Sequence, residues 1–198
     1  MGRVIRIATQ TWLNARQRRG DFGRSTVLFL PGSGSVWDVS SQRVDIAIIG
    51  AGPAGAATAI QAARSGAKVV VFEKGGHGRD KVCGDGLTPR AVGALNELKI
   101  PLDDAHHIRG LRMIAGKQVR ELDWPTTDRF PNHGAVWPRR RLDAALMDAA
   151  VDAGADIVFE TEASPVIDDG GRVTGVEANG NRIDADLTVI AAGAQGAV

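Results

Sequence analysis

The chain has 198 residues, 43% of them hydrophobic and 24% charged, the make-up of a globular protein of one or two domains with a sizeable core. A formal net charge of +1 gives no general argument for nucleic acid or a membrane surface, and no run approaches the roughly 18 apolar residues of a membrane span. A single cysteine, Cys83, excludes an intramolecular disulfide framework and a cysteine-rich zinc site, so a reducing, cytoplasmic setting is expected.

The charge is unevenly spread. Residues 1–43 hold seven arginines against Asp21 and Asp38, while the remainder is mildly acidic. Periodicity in this stretch is poor, "PGSGS" (Pro31 to Ser35) breaks it, and "TVLFL" (Thr26 to Leu30) is too short for the apolar region of a secretory signal. Val4, Ile5, Trp12 and Leu13, set among arginines, have the make-up of a basic helix lying on a lipid surface. The plainer expectation is a basic, disordered N-terminal extension.

From Val44 the character changes. "VDIAIIG" is a continuous apolar run ending in glycine, as expected of a parallel strand buried on both faces. "PAGAATAIQAARSG" then reads as a helix with Pro53 in its first turn and Gly66 at its stop, and "AKVVVFEK" as a second buried strand. Thr88 as N-cap and Pro89 open the next helix, "PRAVGALNELK", which Pro101 closes off. "GLRMIAGKQVREL" alternates around Gly116-Lys117 and predicts a hairpin. "RRRLDAALMDAAVDAGA" predicts a longer helix burying Leu142, Ala145, Leu146, Ala149 and Ala150, followed by the strand "ADIVFE". A small meander with turns at Asp169-Gly170-Gly171 and Asn179-Gly180-Asn181 precedes a last buried strand, "LTVIAAGA". The pattern is α/β, with a central parallel sheet interrupted by antiparallel ribbons.

Gly50, Gly52 and Gly55 form G-x-G-x-x-G between a predicted strand and a predicted helix. The first glycine permits a tight turn, the second lets backbone approach a pyrophosphate, and the third lets helix pack on strand, with the helix N-terminus facing the anion. Glu73, 18 residues beyond Gly55 at the end of the second strand, is placed to accept hydrogen bonds from the ribose of an adenosine and to repel a 2′-phosphate. NAD and FAD both remain open at this point, and NADP is disfavoured.

"KVCGDGLTPRAVGAL", "WPRRRLDAALMDAAVDAGAD" and "ADLTVIAAGA" together resemble the geranylgeranyl reductase family of FAD-dependent oxidoreductases, most of all its menaquinone reductase branch. The resemblance covers Val44 to Val198 and implies a Rossmann-like FAD-binding domain over 44–198, with 106–137 as part of an inserted substrate region. It implies that Gly50, Ala51, Gly52, Pro53, Ala54 and Gly55 hold the pyrophosphate of FAD, and that Glu73 and Lys74 lie at its ribose. Cys83, Gly84, Asp85 and Gly86 would pass beside the flavin, Arg139 would reach the cofactor as a cationic donor, and Ala163 would meet the adenine through its backbone. Cys83 and Asp85 are the candidate catalytic residues. The implied substrate is a prenylated lipid or quinone, met at the membrane periphery, with an external electron donor and no nucleic acid. On the same resemblance the C-terminal half of the family is missing from this chain.

A non-catalytic remnant that binds FAD partly or not at all is the alternative, and an FAD-dependent aromatic hydroxylase, which shares the glycine loop, is a further one. His106, His107 and His133 lack a third ligand at metal spacing, so no metal site is expected. Trp124, Phe130 and Trp137 are candidates either for core packing or for the wall of an isoprenoid channel.

Overall fold

The computed structural model describes residues 27–29, 36–38, 43–81 and 84–194. The readings of Val4 to Leu13 and of Cys83 therefore lie outside the described residues. Strands β1 (Val27–Phe29) and β2 (Val36–Asp38) pair antiparallel with each other. The glycine-loop region follows as strand β3 (Arg43–Ile49), helix α1 (Pro53–Arg64) and strand β4 (Val69–Phe72). Next come β5 (Gly86–Leu87), α2 (Pro89–Glu97), β6 (His106–Ile108), β7 (Gly110–Ala115), β8 (Gln118–Asp123) and β9 (Gly134–Val136). Helix α3 (Arg139–Asp152) leads to β10 (Asp156–Val158), β11 (Ala163–Ile167), β12 (Val173–Ala178) and β13 (Asn181–Ile190).

The chain divides into two compact units, one drawn from 1–77 and 150–198, the other from 78–149. The first is built on a six-stranded sheet of order β10-β4-β3-β13-β12-β11, parallel from β10 to β13 and antiparallel beyond. β4 has only four residues, but all four are buried, each side chain contributing about 1.5–3 kcal/mol on leaving water. Ala47, Ile49, Val70, Phe72 and Val158 join Val176, Ala178 and Ile183 in one apolar cluster, so the parallel and antiparallel parts share a core. Helix α1 packs on β3 and β4 and buries Ala56, Ala59 and Ile60.

Helix α1 stops where its sequence directs: Ser65 caps it and Gly66 turns at φ 88. The meander and the last strand, separate in the sequence pattern, are one element here. β13 pairs antiparallel with β12 up to Asp184, then parallel with β3 as far as Ile190.

The second unit holds a three-stranded antiparallel sheet, β5-β9-β6, and the predicted β7-β8 hairpin, turned at Gly116 with φ 60. Thr88 caps α2 by accepting from the Ala91 N–H at 3.4 Å, and Val92 and Leu95 form its buried face. The hairpin leaves Leu111, Met113, Ile114, Val119 and Leu122 exposed. α3 departs from the expected face: Leu142, Leu146 and Ala150 are buried, but Asp143 and Met147 join them while Ala145 and Ala149 are only half-buried. An acid fits there because it has a partner one turn away, described below.

The β12-β13 pairing depends on one glycine. A Cβ on Gly175 would lie 2.1 Å from the Ile183 carbonyl oxygen. Gly175→Ala is expected to lower stability by about 2 kcal/mol, measured by urea denaturation, because the backbone must shift to admit the methyl group.

Candidate functional site

The first unit turns sharply where β3 gives way to α1. Gly50 sits at φ 97, in the left-handed region that favours glycine, and a Cβ there would stand 2.6 Å from the Ala191 carbonyl oxygen at the exit of β13. A Cβ on Gly55 would come within 1.9 Å of the Gly50 carbonyl oxygen, so only glycine lets α1 sit this close to the turn. Gly52 differs from both. Its backbone is extended, and a Cβ would meet nothing within 4 Å. That space lies at the start of α1, which has Pro53 in its first turn, no side-chain cap and no acidic residue there. A helix start without a side-chain cap, the positive dipole end and room for close approach are what a pyrophosphate requires.

Glu73 ties the loop to the sheet. Its carboxylate is 3% exposed, with Oε2 accepting from the Ala51 N–H at 2.8 Å and Oε1 from the Gly75 N–H at 2.9 Å. A carboxylate offers about four acceptor positions, and these two bonds use one on each oxygen. The Thr161 N–H donates to the Glu73 carbonyl, and the Glu160 N–H to that of Gly75, drawing the segment before β11 alongside. Ala163 opens β11 opposite Ala178, partly buried against the core, and Lys74 is exposed. The residues assigned to an ADP-like group thus converge within one unit: Gly50 to Gly55 through Ala51, then Glu73, then the strand that Ala163 begins. Sequence reasoning missed the backbone donors Ala51 and Gly75 at Glu73 and the approach of Ala191 to Gly50. Main-chain contacts of this kind leave no residue-type signal beyond the glycines themselves.

In the second unit, Asp85 braces the start of α3. Its Oδ1 accepts from the Arg139 N–H at 2.9 Å, and its carbonyl accepts from the Trp137 N–H at the same distance. The Arg139 side chain is buried and makes a two-point bond to Asp143, Nε to Oδ1 and Nη2 to Oδ2, both at 2.9 Å. Gly84 and Gly86 flank Asp85, each with open space where a Cβ would be. Trp124 and Phe130, with Pro89, Pro125 and Pro131, line a cavity of about 290 Å³; Trp137 is buried away from its lining. His107 and His133 stack face to face with ring centres 4.6 Å apart.

A parallel sheet whose first strand runs through a glycine turn into a helix, with a buried acid at the end of the next strand, defines a dinucleotide-binding domain of the Rossmann type. Its particular family follows from comparison: the chain belongs to the FAD-binding domain family, whose model matches residues 43–198. FAD is accordingly its cofactor, and the open space at Gly52 and the uncapped start of α1 fit that group.

A menaquinone reductase of Mycobacterium tuberculosis is 40% identical over 155 residues, which make up 76% of this chain and 38% of that protein. A digeranylgeranylglycerophospholipid reductase of Methanosphaera stadtmanae is 32% identical over 126 residues, or 62% and 31% of the two chains. Among solved structures, a geranylgeranyl bacteriochlorophyll reductase-like protein of Thermoplasma acidophilum superposes with a TM-score of 0.63 at 29% identity, covering 76% of this chain and 39% of its own. The chain therefore spans well under half the length of the relatives it matches.

Gly52→Val is expected to fold, since the added side chain enters open space, yet to lose FAD uptake by about tenfold or more because it fills the pyrophosphate approach. Fluorescence titration with FAD checks this, and unchanged affinity would refute the loop assignment. Glu73→Gln sets an amide donor against the N–H of Ala51 or Gly75. Loss of about 1–3 kcal/mol in thermal or urea unfolding is expected even without cofactor.

Proposed function

We propose that this chain is the FAD-binding portion of an oxidoreductase that saturates a carbon–carbon double bond of an isoprenoid chain, as in a prenylated quinone or lipid. What supports the reading most is the 40% identity to a menaquinone reductase across a stretch that includes both the glycine loop and the Gly84-Asp85-Gly86 turn. When bound and reduced, FAD would supply the hydride that one alkene carbon needs, and a proton would have to reach the other.

The protein's own residues have narrower tasks. Gly50 to Gly55 bind the pyrophosphate, and Glu73 orients the ribose while holding the loop that makes the site. Gly84 and Gly86, lacking side chains, let the flavin come close to backbone, and Arg139 offers it a cationic donor. Asp85 is assigned to holding this turn: its Oδ1 already serves as acceptor at the first N–H of α3. An isolated alkene accepts hydride poorly, so the site needs an acid in a dry pocket, and the assignment of that acid rests with groups beyond Asp85. The cavity flanked by Trp124 and Phe130 has the apolar character an isoprenoid segment needs. A lipid-soluble substrate of this kind would be met at the surface of the bilayer; among the described residues no helix is long and apolar enough to cross a membrane.

The test is direct: load the chain with FAD, reduce it chemically, add a quinone with an unsaturated prenyl tail, and weigh the product by mass spectrometry. Gain of two hydrogens in the tail, absent with Gly52→Val, is the expected outcome. Full flavin loading with an unchanged tail would instead make this chain a cofactor-binding module without turnover.

A further inference from the structure

Arg139 occupies a position that helix electrostatics would give to an acid. It is the first residue of α3, where the positive end of the dipole favours carboxylates and disfavours cations. Arg140 and Arg141 follow it, and the first turn holds no acid of its own. Arg140 is exposed and Arg141 pairs with Asp104 at the surface, but Arg139 is buried, only 8% exposed. Its burial is made tolerable by two carboxylates from outside that turn: Asp85 on its main-chain N–H and Asp143, 4% exposed, on its guanidinium.

Such a pair is a poor device for stability alone. Desolvating both charges cancels most of their attraction, and apolar side chains of similar volume would hold the same face of α3 at no loss. The arrangement accomplishes something else. The two parallel bonds from Nε and Nη2 fix the plane of the guanidinium, and Asp85 fixes the backbone from which the side chain departs. We infer that Asp143 is a positioning residue, which holds Arg139 in one orientation so that FAD meets a pre-set cation instead of one it must order on arrival. This rests on the reading that Arg139 meets the cofactor.

Affinity for FAD compared with ADP separates the two ideas, because ADP engages only the glycine loop and Glu73. In the full chain, Arg139→Gln is expected to weaken FAD while leaving ADP within error. Asp143→Asn, which keeps shape but removes one of the two matched acceptors, is expected to weaken FAD by about tenfold, the lower end of what losing an orienting partner costs at metal sites. Added to Arg139→Gln, it should do nothing further, since it acts only through the arginine. Asp143→Glu keeps the charge and displaces it by one methylene; it guards against an Asn variant that fails to fold and should lose FAD severalfold with an unchanged melting temperature.

Full FAD affinity in a folded Asp143→Glu or Asp143→Asn protein, or equal losses of ADP and FAD, would overturn the positioning role while leaving Arg139 in place. FAD binding indifferent to Arg139→Gln would overturn both it and the reading beneath it.

Discussion

The hydrogen bond from the Ala51 N–H to Glu73 fastens the turn after β3 to the end of β4, and the glycine loop is held in shape by that bond. Gly55 brings α1 down onto the Gly50 carbonyl, so the helix starts close against the same turn that this bond holds. Apolar burial sets the register of β3 against β4, and the register in turn places the carboxylate. The core and the site are therefore one construction: the valines of β4 position Glu73 as surely as its own side-chain torsions do.

The second unit solves a different problem, that of keeping charge where burial opposes it. Arg139 lies at a helix start with the dipole against it, and Asp85 meets its backbone N–H while Asp143 meets its guanidinium. Asp85 comes from the short turn before β5, so the loop between its two glycines and the beginning of α3 form a single braced corner. A glycine-rich loop is usually the most mobile part of a site; here its central residue is bonded at both side chain and carbonyl.

The parallel strands, α1 and the glycine turn between β3 and α1 were legible in the sequence, because buried parallel strands are continuous apolar runs and the glycine spacing answers to a fixed turn. The face of α3 was read less well. Apolar counting favoured Ala145 and Ala149 over Asp143, since an acid scores as solvent-facing unless its partner is known, and Arg139 at i,i+4 becomes that partner only once the helix start is located. β13 was read as two elements for a related reason: its sequence pattern changes at Asp186, just past Asp184, where the strand exchanges an antiparallel neighbour for a parallel one without interruption. Ladder bonds carry that change, and ladder bonds have no residue code. Glu73 was seen as a ligand for ribose but not as the fastening of the loop, because its partners are backbone amides.

β13 also sets the order of events during synthesis. It lies between β3 and β12, and Arg43 at the start of β3 meets its ion-pair partner Asp186 across 143 residues of sequence. At a translation rate of roughly 5–20 residues per second, β3 waits on the order of ten seconds for the strand that completes its ladder. Throughout that interval the side of β3 that carries Ile46 and Ile48 lacks its β13 neighbour, and contacts this distant in sequence slow folding. The turn at Gly50, which abuts Ala191 just past β13, therefore cannot reach its final form until that strand has been made.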